Sequence, residues 1–204
     1  MCPEGLEPVV SIRERNAEVK KQAILDAALT LFSARGFHGV AVPEVAQKAG
    51  VGTGTIYRYF ENKDALVNGV YRDAKNSLAT CLVDGFDFNV SHRDQFHQFW
   101  QRLMRFVQTN PVAFRFLELQ DHSPYLDSES RALELSVLAP IFAFCAKAKS
   151  DGVARKMPSE ALMAIIWGAF VGIVKAQDAG YIEMEDKTFS AAENACWDMF
   201  CLSK

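Results

Sequence analysis

Apolar residues recur along most of the chain with the 3.6-residue period of amphipathic helices, and alternating strand-like runs are scarce. Ile24, Ala27, Ala28, Leu31 and Phe32 fall at i, i+3, i+4, i+7 and i+8, one stripe of a first long helix. Arg35-Gly36 closes it, with a cation in the last turn and a glycine just beyond. A short helix is predicted from about Pro43 to Ala49, stopped by Gly50, and another from Gly52-Thr53 to about Phe60. Asn62 is placed to cap a fourth, from Lys63 to about Leu82. Beyond a break at Asp84–Ser91 the pattern predicts helices over about 92–109, 111–120 and 128–150, with Pro111 at a helix start and Pro124 in a loop. Ser159 is expected to cap a long apolar helix ending at Gly180. Ser190 and Glu193 have capping-box spacing for a last helix over about 190–201. The expected fold class is all-α, with eight to ten helices.

Composition narrows the class without changing that picture. The 204 residues are 50% hydrophobic and 23% charged with a formal charge of −3, which suits a soluble globular protein and excludes disordered and collagen-like chains. The longest mainly apolar run, Ala161 to Val174, falls short of the roughly 20 residues of a membrane span, so it reads as a buried helix and no membrane partner is expected. Glu4 and Glu7 stand where a secretory signal would carry basic residues, which points to the cytoplasm. The five cysteines (Cys2, Cys81, Cys145, Cys196, Cys201) form no Cys-x-x-Cys and no Cys/His cluster with zinc spacing. They read as small buried hydrophobes in a reduced protein, and neither a metal nor a cofactor is expected.

Charge is uneven along the chain. From Ser11 to Lys63 there are 8 basic and 5 acidic side chains, a balance of +3, whereas residues 64–204 hold 14 against 18, or −4. Such a bias does not by itself identify a nucleic-acid binder. The spacing in residues 43–60, PEVAQKAGVGTGTIYRYF, adds something more specific. Two short helices flank the tight turn Gly50-Val51-Gly52, and Val45, Ala46, Val51 and Ile56 can pack together in front of Leu31 and Phe32. That is helix-turn-helix spacing, in which the second helix enters a major groove about 12 Å wide. The small residues Thr53, Gly54 and Thr55 allow close approach to phosphate and base edges, and Tyr57, Arg58 and Tyr59 supply donors and flat surfaces beyond them. Lys63 opens the next helix as a further phosphate contact. The same spacing also fits an ordinary glycine turn, with the tyrosines capping a core.

Residues 20–66, KKQAILDAALTLFSARGFHGVAVPEVAQKAGVGTGTIYRYFENKDAL, resemble the N-terminal domain of TetR-type (tetracycline-repressor-like) transcriptional regulators. The elements that carry the likeness are Ile24-Leu25-x-Ala27-Ala28-x-x-Leu31-Phe32, Gly36-Phe37, Val42-x-x-Val45-Ala46-x-x-Ala49-Gly50-Val51 and Gly54-Thr55-Ile56-Tyr57-x-Tyr59-Phe60-x-x-Lys63-x-x-Leu66. The resemblance implies a flexible N-terminal arm (1–15), a helix-turn-helix domain (16–62) and a helical effector-binding and dimerisation domain (63–204). It places Thr53 and Gly54 nearest the bases, puts Thr55, Tyr57, Tyr59 and Lys63 on backbone phosphates, and gives Arg58 a guanine edge or a phosphate. Val40-Ala41 stands where relatives often have Ser or Thr before the second helix, so a helix cap and a phosphate contact are open there.

The resemblance further implies a homodimer built from the last two long helices, bound to a palindromic double-stranded operator and released by a small-molecule effector of unknown identity. Independently, Ala164, Gly168, Gly172 and Ala176 recur every four residues and lay a small-residue stripe along one helix face, which lets a second helix approach closely. The aromatics cluster in the middle helices. Most would fill a core, while some would line a cavity for an apolar or aromatic effector; Phe96, Trp100, Leu103, Met104, Phe114, Glu118, His122, Phe142, Met163, Trp167 and Phe170 are the candidate pocket residues.

Other classes fit less well. His92 and His97 are five apart and do not share a helix face, and Asp121-His122-Ser123 is contiguous in sequence and not a triad in space, so no catalytic residue is expected. An interaction module without a DNA target has no need of the Thr53–Lys63 pattern. Activation and repression are not separable from sequence.

Overall fold

The computed structural model describes residues 11–183 and 185–202. Nine helices run through them: α1 (Ile12–Arg35), α2 (Val42–Ala49), α3 (Thr53–Tyr59), α4 (Lys63–Val83), α5 (His92–Thr109), α6 (Pro111–Leu119), α7 (Ser128–Ser150), α8 (Ser159–Asp178) and α9 (Asp186–Phe200). Among the described residues the only extended pairing is an isolated antiparallel bridge between Ala154 and Cys201. The expected all-α class holds.

Two helix starts differ from the sequence reading. Ser159 lies inside α8, whose cap position is Pro158. α9 begins four residues before Ser190, behind Glu185, and the Glu193 carboxylate is drawn away from any capping box by Arg93 and His97. α1 starts at Ile12, because Ser11 and Glu14 form a complete capping box: the Glu14 N–H donates to Ser11 Oγ (3.2 Å) and the Ser11 N–H to Glu14 Oε2 (2.8 Å). Arg13 and Arg15, expected in a flexible arm over 1–15, are therefore helical, and residues 1–10 of that arm lie outside the described residues.

The chain divides into two compact units. The first holds the described residues up to Ala74 together with Val112–Asp127; the second holds Lys75–Pro111 and the chain from Ser128 onward. In the first unit Ile24, Ala28, Phe32, Val45, Ile56 and Leu66 form a buried core. Gly69 of α4 permits this closeness, because a Cβ there would stand 2.6 Å from the Phe60 ring.

A return segment that the sequence reading assigned to the C-terminal part belongs to this first unit. The Gln120 side-chain amide donates to the Phe32 carbonyl (2.7 Å), which also accepts from the Gly36 N–H (2.8 Å), and to the Ser33 carbonyl (3.1 Å), so it holds the last turn of α1. Buried Asn68 clasps the segment from two sides: its Nδ2 donates to the Tyr125 carbonyl (2.8 Å) and its Oδ1 accepts from the Asp127 N–H (2.9 Å). Arg72 pairs with Asp127 (2.9 Å), and Tyr125 stacks on Phe37 at 4.6 Å.

The second unit is organised by aromatic rings. Trp100 meets Phe170 edge-on at 5.2 Å, Phe144 stacks on Phe200 at 5.4 Å, and Phe96 meets Trp197 edge-on at 5.3 Å. Buried Glu193 ties α9 to α5 through Arg93 and through His97 Nδ1 (2.9 Å). α8 corrects the expectation of a buried helix. It is long and apolar enough to cross a membrane by length and composition, yet only 22% of its most apolar window is buried.

Candidate functional site

α2 and α3 meet in the way the glycine turn requires. Gly50 adopts φ 67°, ψ 31°, a left-handed conformation strained for residues with a side chain, and the Val51 N–H reaches back to the Ala46 carbonyl (3.0 Å). Gly52 then caps α3 with its own carbonyl accepting from Thr55 N–H (2.8 Å). Val45, Ala46 and Ile56 are buried and seat α3 on α2.

The opposite face of α3 is open. Gly54 is exposed with free space where a Cβ would stand, Tyr57 is 51% exposed, and Arg58 projects to solvent. Thr53 and Thr55 are half-buried on the flanks. Tyr59 and Lys63 are held differently. The Tyr59 hydroxyl donates to the Ala17 carbonyl (3.1 Å), so its one hydrogen is committed to α1. Lys63 Nζ sits over the Phe37 ring at 4.3 Å with its ammonium hydrogens free to point elsewhere.

Between α1 and α3 lies a hollow of about 340 Å³ lined by Arg13, Asn16, Ala17, Lys20, Thr55, Arg58 and Tyr59. Three cations and no carboxylate line it, which makes it a place for an anion. Arg13 and Lys20 were absent from the candidate residues because they belong to a helix whose sequence signal is its buried stripe. The basic side chains sit on its other face.

Half of a capping box stands ahead of α2. Ala41 occupies the cap position and offers no side-chain acceptor, but the Glu44 carboxylate accepts from the Ala41 N–H (3.0 Å) and pairs with Arg35 (2.6 Å). Those two contacts, the backbone N–H first, hold its carboxyl below the usual carboxylate range.

In the second unit an apolar cavity of about 60 Å³ lies among α4, α5, α7, α8 and α9. Phe96, Leu103, Met163 and Trp167 line it, along with Leu82, Phe99, Ile141, Phe144 and Phe200, which sequence reasoning did not single out. Trp100 and Phe170 are buried behind that wall, and Met104 lines a separate polar hollow with Gln101 and Arg105. Phe142 is not in the lining: α7 turns Phe144 toward the cavity, and two residues along a helix is more than half a turn. Phe114, Glu118 and His122 belong to the other unit. There His122 is a buried structural residue, its Nε2–H donating to the Phe116 carbonyl (2.5 Å) and its Nδ1 lying 3.0 Å from the Tyr125 hydroxyl.

Along α8, Ala164, Gly168 and Gly172 are exposed and Ala176 is half-buried, with open space where Cβ atoms at both glycines would be. Ile165 beside them is 44% exposed. On α9 the residues Ala191, Ala195 and Met199, four apart, are exposed as well. No group of three or more potential metal ligands occurs among the described residues.

Residues 24–70 match the family described as "Bacterial regulatory proteins, tetR family", and residues 71–202 match "Tetracyclin repressor-like, C-terminal domain". An HTH-type transcriptional regulator from Haemophilus influenzae is 25% identical over 174 residues, covering 82% of this chain and 90% of that one. The Escherichia coli regulator RutR is 41% identical over 69 residues, 34% of this chain and 32% of its own length. Among solved structures, a TetR family transcription regulator from Marinobacter aquaeolei superposes with a TM-score of 0.84 at 24% identity, covering 93% of this chain and 99% of that one. These relatives are named as regulators of transcription and not as enzymes.

Proposed function

The chain belongs to the tetR family of bacterial regulatory proteins and is a DNA-binding regulator of transcription; on that premise we propose that it is a homodimeric repressor, released from a palindromic operator by a small apolar effector. The observation that carries the DNA-reading part is the open face of α3. Gly54, Tyr57 and Arg58 stand clear of the protein while Ile56 anchors the helix from behind. Thr53 and Gly54 approach the bases, and Arg58 takes a guanine edge or a phosphate. Thr55, Tyr57 and Lys63 bind backbone phosphate. Tyr59 acts differently from its first assignment, because its donated hydrogen holds α1 against α3 and leaves none for a phosphate.

Support for the dimer comes from the uncovered small-residue faces of α8 and α9. A face of Ala and Gly lets two helix backbones approach closely, and an apolar helix left so exposed gains by meeting its own copy. Two-fold pairing sets two copies of α3 about 34–36 Å apart, or a multiple of that, to reach successive major grooves. The cavity of the second unit takes the effector. α4, which supplies Leu82 to the cavity wall and Lys63 to the DNA face, carries its influence by a small pendulum motion. The coupling expected of such a device is about 1–3 kcal/mol. The protein then works in the cytoplasm, where its operator is.

Selection of genomic DNA fragments by purified protein, beside Tyr57→Ala/Arg58→Ala, tests the reading at two salt concentrations. A short palindrome enriched by the wild type and lost in the variant supports it. Equal recovery of fragments by both proteins overturns the assigned recognition face.

A further inference from the structure

Two hollows in the second unit share a wall. The wholly apolar cavity of about 60 Å³ adjoins a wider hollow of about 220 Å³, and Leu82, Phe99 and Ile141 line both. The smaller one is far below the roughly 300–1,000 Å³ of a site that takes a drug-sized molecule whole, so it suits a thin apolar portion of a ligand. The wider one carries polar groups at its far side. Asn76 and Ser136 line it, and so does Pro140, in the middle of α7.

Pro140 decides the chemistry there. It has no N–H, so the Ser136 carbonyl four residues earlier loses its helical donor. The Ser136 hydroxyl is already directed to the Leu133 carbonyl (2.7 Å). The polar residues lining the wider hollow are thus Ser136, whose carbonyl is short of its helical donor, and Asn76, whose exposed side-chain amide both gives and accepts. No carboxylate, ammonium or guanidinium lines either hollow. The nearest charges in sequence on these two helices, Lys75 and Glu134, are paired with each other at 3.7 Å. A charged head group would enter without a counter-ion, whereas a hydroxyl would supply the donor that the Ser136 carbonyl lacks.

We propose that the effector is an uncharged, elongated amphiphile. Its hydrocarbon tail occupies the smaller cavity and its hydroxyl-bearing head lies against Asn76 and the Ser136 carbonyl. The assignment rests on the effector reading above and gives it a chemical class. It also places the head against α4, the helix that begins at Lys63.

Octan-1-ol, octanoate and octylammonium serve as probes, followed by calorimetry and by the fluorescence of Trp167, which lines the smaller cavity. Octan-1-ol is expected to bind at least tenfold more tightly than either charged probe. Asn76→Leu, a change at an exposed position, should weaken the alcohol five- to tenfold. Met163→Trp should fill the cavity and abolish the preference for octan-1-ol over butan-1-ol. Equal binding of a charged probe, or an alcohol affinity within twofold of wild type in Asn76→Leu, overturns the proposal. Retention on selected operator DNA, measured on the same samples, separates the two readings. Alcohol binding without loss of DNA retention supports the amphiphile site and sinks the effector role. Intact DNA retention with no alcohol binding sinks the amphiphile site and leaves the regulator standing.

Discussion

Tyr59, at the end of α3, gives its hydroxyl hydrogen to the carbonyl of Ala17 on α1, 42 residues earlier, at 3.1 Å. The bond ties the end of α3 to α1, and its donor comes from a residue whose position suggests a phosphate contact. Tyr59→Phe should therefore act on the head's stability, by about 1 kcal/mol, the usual worth of one hydrogen bond. Operator affinity should change less than threefold, against the loss of about 1–3 kcal/mol expected for Arg58→Ala if Arg58 reads a base. Denaturant titration and fragment binding of the two variants, side by side, check the contrast.

Asn68 is buried and satisfies the Tyr125 carbonyl and the Asp127 N–H at once. Asn68→Ala leaves both groups without their partner, so a loss of about 2–3 kcal/mol is expected. Hydrogen exchange should show the Asp127 amide losing protection in the variant before the α1 core does; unchanged protection would contradict the clasp.

Glu44 supplies the carboxylate half of a capping box at α2, where Ala41 brings no hydroxyl, and its carboxyl is held low first by the Ala41 N–H and then by Arg35. A lowered carboxyl stabilises the fold above its ordinary value of 4.5 and loses that contribution as pH falls through the folded value. Glu44→Gln should flatten the acid limb of the stability profile. Ala41→Ser should add about 0.5–1 kcal/mol by completing the box. Thermal melts of the three proteins from neutral pH down to about pH 3 test both.

Burial pushes the thiols of Cys145 and Cys196 up to about 11. Each is protonated when folded and ionises near its ordinary 9.0 when unfolded. Their contribution to stability is complete below pH 9 and is lost as pH rises toward 11. Native protein at pH 8 should resist iodoacetamide at both positions, and unfolded protein should react rapidly. Peptide mass mapping reads the difference; equal labelling would refute it.

Gly172 has nothing within 4 Å of where a Cβ would stand, so a large side chain there is accommodated within the monomer. Gly172→Trp should give a folded monomer of undiminished helicity that loses operator binding. Gly172→Ala should remain dimeric and gain about 1 kcal/mol from helix propensity. Light scattering separates these outcomes, and a dimeric Gly172→Trp would show that the face is not the interface.

Much of this protein is legible in its local sequence. The helices follow from apolar period, prolines at first turns and glycines at ends, because each of these acts within about four residues. The Gly50 turn and the Gly54–Lys63 register are of that kind, and they expose the DNA-reading segment without any tertiary knowledge. Ser190 misled because a cap is local only until something stronger competes: Glu193 is drawn to Arg93 and His97, about a hundred residues away, by charge in a buried setting.

Local sequence was enough for the helical class, the family likeness and the outward placing of Gly54, Tyr57 and Arg58 on α3. Tertiary structure alone decided which aromatics enclose a cavity, since every Phe seeks burial equally and only packing tells Phe144 from Phe142. It decided that Phe114, Glu118 and His122 serve the head, through amide clasps at Gln120 and Asn68 that no period announces. It also decided that α8, read as a buried helix from its composition, stands largely uncovered. Apolar character drives a surface out of water, but it does not say which surface will cover it.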